Sequence, residues 1–389
     1  MSLVLVLDGR SRAALQIVRS LGEKGIKVII GNDYWICSSF FSKYVYRRIL
    51  YPDPKSIKFK KFIFSFLKNN KIDTIIPVRD DTTIFCAKYK KELSKFTNLI
   101  ISDYETIMIG RDKSKTVIEA EKYGVPCPKT TTVKSKKELL NTNIPFPLVL
   151  KPAISSGSRG IYIIYNHIAL RGVADKIFKE YDKYLVQEFI PSKKTVGVNV
   201  LFDDQNNLKA IFTYTRLREY PRYGGPSVLR ESTNDEEVKK LALRLFKGLR
   251  WKGVAMAEFK IDERDNVPKL MEINPRFWGS LALPIYAGVD FPFLLYQLVK
   301  GKDVKKVDTY KIGVKARWLL LGDLLWLIKS RNITKDFKEF IKIFDKKQTY
   351  DIISIFDPLP SIGAILEGFQ FIFNPEKRKH AFKRGVISN

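Results

Sequence analysis

The stretch "LMEINPRFWGS", residues 270–280, ends an apolar run on a carboxylate, an amide and a guanidinium, at Glu272, Asn274 and Arg276. Strand alternation puts Leu270, Glu272 and Asn274 on one face. Upstream, "GVAMAEFKID" (253–262) reads as a second strand, and "ERDNV" (263–267) supplies an Asp-Asn turn, so the two segments form a hairpin. Glu258 then stands in an otherwise apolar partner strand. Two carboxylates facing each other repel and raise a pKa unless a cation neutralises them. Hard oxygen ligands without His or Cys suit Mg²⁺, whose remaining positions go to water and phosphate oxygens. The plainer alternative leaves Glu258 exposed or pairs it with Lys260.

Working back along the chain, "LVLKPAISSGSRGIYII" (148–164) ends an apolar strand on Lys151 and then turns small and polar. Gly157 and Gly160 permit a mobile loop whose backbone N–H groups can cover phosphates. The segment is not the G-x-x-x-x-G-K-[ST] pattern, and no helix follows it. A hairpin turn explains it equally well by itself; the entering lysine and the acids about 110 residues later favour the phosphate reading.

At 389 residues the chain exceeds what one core usually serves, so two or three domains are expected. Hydrophobic residues make up 45%, which argues against general disorder. The net charge is +28. Residues 301–389 hold 18 Lys/Arg against 10 Asp/Glu, or +8, leaving +20 for the first 300. The excess is spread along the chain and interleaved with apolar residues, which fits a solvated surface better than a nucleic-acid arm. Cys37, Cys86 and Cys127 are too far apart for a zinc site or a disulfide framework, and two histidines make a histidine metal cluster or Ser/His/Asp triad improbable. "MSLVLVLDGRSRAA" reads as a first strand and not a secretory leader, and no run of about 18 apolar residues occurs. A soluble, cytoplasmic protein is expected.

"SLVLVLD", "GRSRAALQIVRSLGEKG" and "IKVIIGND" read as strand, helix and strand, the strands being continuous apolar runs of the kind buried on both faces. The turn lacks G-x-G-x-x-G. Residues 1–110 are therefore expected to be an open α/β domain. From residue 111 the texture becomes that of short strands in an antiparallel α+β region, to about residue 300. Residues 301–389 are expected to be a mainly helical, basic extension ending in "PEKRKHAFKRGVISN".

The stretch 111–301 resembles the ATP-grasp superfamily of carboxylate–amine ligases, relatives of biotin carboxylase, D-alanine–D-alanine ligase and carbamoyl-phosphate synthase. The resemblance rests on "RDKSK…YGVPCPKT", "FPLVLKPAISSGSRG", "YLVQEFI", "GVAMAEFKID" and "LMEINPRFWGS", in the family's order. It implies that Lys113 and Lys151 contact the ATP phosphates. Ser155, Ser156, Gly157, Ser158 and Gly160 would form the closing loop. Gln187, Glu188, Phe189 and Ile190 would lie along the adenine, with backbone groups of Glu188 and Ile190 reading its edge. Glu258, Glu272 and Asn274 would bind Mg²⁺, as two ions bridged by phosphates, with Mn²⁺ able to substitute. Arg276 would face the transferred phosphoryl group. One departure concerns the ribose, where relatives often place an acid and Thr195 stands here.

The implied reaction activates a carboxylate as an acyl phosphate for attack by an amine, releasing ADP and phosphate. Arg216 and Arg218, in "TRLREYPRYGGPS" (215–227), are the expected catalytic partners of the acyl phosphate or the acceptor carboxylate. Trp278 suits either a pocket wall or the core. Small-molecule carboxylate and amine substrates are the expected partners. A homodimer and peripheral contact with a membrane or lipid-linked substrate through 315–370 are compatible with the sequence. A bicarbonate-activating enzyme is the nearest alternative; a basic nucleic-acid-binding protein without catalysis is the alternative from another class.

Overall fold

The computed structural model describes residues 2–157, 159–221, 224–330, 332–343 and 345–373. Ser158 of the expected loop, Arg222 of the arginine segment and the basic tail from residue 374 lie outside the described residues.

The chain begins with a parallel sheet in the order Val45–Leu50, Lys27–Asn32, Leu3–Val6, Thr74–Ile76. Its central strands are built on apolar runs because both faces are covered. Val4, Val6, Val28 and Ile30 pack with Ala14, Ile17 and Val18 of the Arg12–Gly22 helix. Leu5 and Ile29 pack with Phe59, Ile63 and Leu67 of the Ile57–Asn69 helix. Ser11 and Ser56 cap these helices by accepting from Ala13 and Phe59 backbone N–H groups. The edge strand Val45–Leu50, "VYRRIL", is mostly exposed and has no apolar run to announce it.

A second, four-stranded antiparallel sheet follows, in the order Thr130–Val133, Tyr184–Glu188, Leu148–Pro152, Tyr162–Ile164. It has its own small core, in which Leu148, Leu150, Tyr184 and Val186 meet Leu170 and Ala174 of the His167–Ile177 helix.

The third sheet runs Pro268–Asn274, Gly253–Ile261, Lys194–Phe202, Leu208–Glu219, Ser227–Thr233, Lys315–Arg317, Gln348–Tyr350. Its last two strands come from the extension that the sequence reads as mainly helical. Residues beyond Gly301 do hold helices, at Leu324–Ile328, Ile333–Phe340 and Leu359–Phe373, but they also lengthen the central sheet. Three-residue strands carry too little periodicity to be read from sequence; pairing with Ser227–Thr233 creates them.

Three buried aspartates fasten this region to the rest. Asp323 takes Arg317 and Arg218, Asp351 takes Arg12 and Arg230, and Asp357 accepts from Arg19 Nε at 2.9 Å. Charges buried this deeply are tolerated only when paired, so each aspartate specifies where its segment docks.

Candidate active site

One cleft of about 650 Å³ lies between the second and third sheets and reaches the start of the first helix. At its floor Glu258 is the cross-strand partner of Glu272, and Met256 that of Asn274. The hairpin is confirmed, with Asn266 at φ +57° in its turn. The expected alternation is not. Glu258 pairs with Glu272 but the adjacent Phe259 pairs with Leu270, so Met271 is an extra residue bulged out of the ladder. The bulge reverses the facing: Leu270 joins the core with Phe259, whereas Met271, Glu272 and Asn274 line the cleft.

Glu258 is neither exposed nor bound to Lys260. Its carboxylate receives the Arg216 guanidinium, which also donates to Glu219 Oε1 at 3.4 Å and the Gly225 carbonyl at 3.2 Å. On the neighbouring strand Gly197 lies opposite both Glu258 and Tyr214; a Cβ there would meet the Tyr214 ring at 2.4 Å. The missing side chain leaves the room that the Tyr214 ring occupies.

Burial raises the Glu258 carboxyl above the ordinary glutamate range; Arg216 opposes the rise and Glu272 adds to it. Burial also penalises ionised Glu272, but Lys113, the Asn274 amide and Arg216 outweigh it and hold the group low. Lys113 Nζ lies 3.9 Å from Glu272 and donates to the Ser155 carbonyl at 3.0 Å. Lys151 points into the same cleft and donates to Gln187 Oε1 at 2.8 Å. Burial first, then the positive charge of Lys260, brings Lys151 down to about 7, with Glu272 partly offsetting them.

Arg276 continues the row. It donates to Asn274 Oδ1 at 3.1 Å and to Asp80 Oδ1 at 2.6 Å. Against the cost of burial, Arg276 and then Arg111 hold Asp80 at about 2. Arg111 in turn donates to the Ser155 carbonyl at 2.6 Å. A continuous chain of polar contacts thus runs from the hairpin acids, through the N-terminal domain, to the base of the 155–160 loop. In that loop Gly157 and Gly160 sit at φ +64° and +71°, the left-handed region that favours glycine.

Residues 180–320 match a family model described as ATP-grasp in the biosynthetic pathway with Ter operon. The carbamoyl phosphate synthase large chain of Thermoanaerobacter pseudethanolicus is 22% identical over 282 residues, covering 69% of this chain and 26% of that protein. The D-alanine–D-alanine ligase of Wolbachia sp. subsp. Drosophila simulans is 24% identical over 200 residues, covering 46% of this chain and 63% of the relative. Biotin carboxylase from Campylobacter jejuni superimposes with a TM-score of 0.67 at 17% identity, covering 80% of this chain and 74% of the other. The chain carries an ATP-grasp family domain. It spans about a quarter of the length of the carbamoyl phosphate synthase chains it matches.

The cleft gathers Lys113, Lys151, Ser155, Ser156, Gly157, Glu188, Phe189 and Ile190 with Arg216, Arg218, Glu258, Glu272, Asn274 and Arg276. Gln187 stands behind the wall, buried, holding Lys151 and donating to Thr130 Oγ1 at 2.9 Å. The Glu188 N–H is already bonded to the Lys129 carbonyl at 2.9 Å, so its carbonyl is the group that could meet an adenine. Thr195 lines the cleft. Arg218 is held by Asp323 at 3.2 Å and lies 4.5 Å from the Trp326 ring centroid. Trp278 is core as well as wall, 1% exposed and edge-on to Phe291.

Asp80, Arg111 and Arg12 were given no role by the sequence, and Trp326 was read only as packing or a lipid-facing flank, not as part of the cleft. Asp80 and Arg111 carried a weak signal, since "PVRDD" and "RDKSK" each follow or open an element. Arg12 carried none. Among the described residues no group of three or more His, Cys, Asp or Glu could hold a metal. Two carboxylates and an amide are nonetheless a chemically suitable, incomplete set for Mg²⁺ whose remaining ligands are water and phosphate.

Proposed function

We propose that the protein is an ATP- and Mg²⁺-dependent ligase that joins a carboxylate to an amine through an acyl phosphate. The observation that carries this reading is Glu258 facing Glu272 across the hairpin, with Lys113 and Lys151 on the same cleft. Its named relatives include a D-alanine–D-alanine ligase, an enzyme that joins two amino acids, which favours an amine acceptor.

Glu258, Glu272 and Asn274 would hold Mg²⁺, which when bound offsets the negative charge of the β- and γ-phosphates. Lys113 and Lys151 hold the phosphates from the opposite side. Phe189 and Ile190 flank the nucleotide base. A substrate carboxylate oxygen attacks the γ-phosphorus and the bond to ADP breaks. The amine then attacks the acyl carbon, losing a proton, and phosphate leaves. The first step brings two anions together and the second develops negative charge on the acyl oxygen and the departing phosphate, so fixed cations at Arg276 and Arg216 lower the barrier most where charge develops. No enzyme nucleophile is needed. The 155–160 loop, anchored at the Ser155 carbonyl by Arg111 and Lys113, would exclude water from the acyl phosphate. Arg12 and Arg218, each beside a tryptophan, are the groups best suited to an acceptor carboxylate.

The test is ADP release on a panel of carboxylic acids with amines, with and without bicarbonate. ADP formation that needs both an acid and an amine supports the reading. Formation with bicarbonate alone would favour the carboxylating alternative, and none under any condition would remove the ligase assignment.

A further inference from the structure

The Ile333–Phe340 helix contains no buried residue. Ile333, Phe337 and Ile341 recur at four-residue spacing, so they form one apolar stripe, and each is more than half exposed. An amphipathic helix whose apolar side faces solvent is an uncompensated cost unless something covers it. The stripe is continued by neighbours. The Leu324–Ile328 helix packs against this one and exposes Leu324 and Ile328. Residues 319–323 connect it to the Leu359–Phe373 helix, which exposes Leu359, Ile362, Leu366 and Phe369 at helical spacing. Between them a loop tip carries Ile355 and Phe356, 92% and 76% exposed. No helix among the described residues is long and apolar enough to cross a membrane.

We infer that this C-terminal flank is a docking surface for an anionic phospholipid bilayer, independent of the catalytic reading. Charge selects the occupant. Residues 324–347 contain seven Lys or Arg against three Asp or Glu, a net +4; the exposed Lys335 and Lys338 lie on the helix that bears the stripe, and exposed Lys342 follows its end. A second copy would bring an equally basic face to this one and repel it. Anionic headgroups attract it through the lysines, while the apolar residues enter the headgroup boundary. The same flank carries Trp326 into the catalytic cleft, so docking would place the cleft beside the lipid surface.

The full chain should co-float with phosphatidylglycerol-containing vesicles and dissociate at high salt. Pure phosphatidylcholine vesicles should bind it roughly tenfold more weakly or worse. Phe337→Glu and Ile341→Glu touch no buried contact, so folding should be unchanged by circular dichroism; each should weaken vesicle binding at least about tenfold. The inference is overturned by no binding to anionic vesicles, or by binding that both variants retain. Concentration-dependent dimerisation abolished by Phe337→Glu, without lipid binding, would overturn it by making a second copy the occupant.

Discussion

Glu258 and Glu272 stand opposite each other on adjacent strands, yet Arg216 answers the first while Lys113 and Asn274 answer the second. The two acids are therefore chemically unequal although they come from one hairpin. Burial pushes Glu258 up, and cations on the other side pull Glu272 down.

That inequality predicts a pH dependence for metal binding. Mg²⁺ needs both acids ionised, and Glu258 gives up its proton only above the usual glutamate value of 4.5. Mg²⁺ affinity should fall as the pH is lowered through the weakly acidic range, with proton release on binding. The linkage in the metal-free protein has the opposite sign: a raised Glu258 costs stability as pH rises past 4.5, and Glu258→Gln should flatten that slope in denaturant titrations. Glu272→Gln, with the fold intact, should reduce ATP turnover by about a hundredfold or more; undiminished turnover would remove the metal assignment.

Lys151 makes the complementary prediction. Its ammonium is brought down to about 7 by burial and by Lys260, so part of the population is neutral near neutrality. Nucleotide phosphates favour the charged form, so metal-free ADP should bind with uptake of a proton, and more weakly as the pH rises above about 7. Calorimetry in buffers of different ionisation enthalpy reads this directly. Lys151→Ala should abolish the uptake and weaken binding.

Asp80 is a positioning residue, since it touches Arg276 and not the phosphate site directly. Held at about 2 by Arg276 and Arg111, it contributes stability that is fully present above its ordinary value of 3.8. That contribution is lost as the pH falls through about 2 and amounts to about 2 kcal/mol. Asp80→Asn should lower the acid resistance of the fold and reduce kcat more than it raises KM, because Arg276 loses its orientation. An unchanged kcat would show that Asn274 and the Phe277 carbonyl hold Arg276 without Asp80.

Asp323 is fully buried between Arg317 and Arg218. Asp323→Ala would leave two buried guanidiniums short of a partner and should cost about 3–5 kcal/mol, a Tm loss of several degrees. The conservative Asp323→Asn keeps the shape and should lose less.

Gly197→Ala adds a single carbon where the Tyr214 ring already lies, 2.4 Å away. Overpacking there should cost about 1–3 kcal/mol and displace Tyr214 toward Glu258. Weakened Mg²⁺ binding alongside the lowered Tm would mark the displacement.

Read from residues alone, the hairpin, the lysine-led loop and the glutamate pair were all visible, because each is local. A strand announces itself by its apolar run, a turn by Asp-Asn, and a loop by glycines at positive φ. Four features were not local. The Met271 bulge, which turns Leu270 inward and Glu272 into the cleft, depends on how one strand registers against another. The strands Lys315–Arg317 and Gln348–Tyr350 exist only as partners of an existing sheet edge. Arg216 binding Glu258, and Asp80 binding Arg276 across 196 residues, are pairings of charges that neither neighbourhood specifies. Periodicity encodes which side chains share a face of one element. Which buried charge meets which is decided when the sheets close, by the cost of leaving any one of them alone.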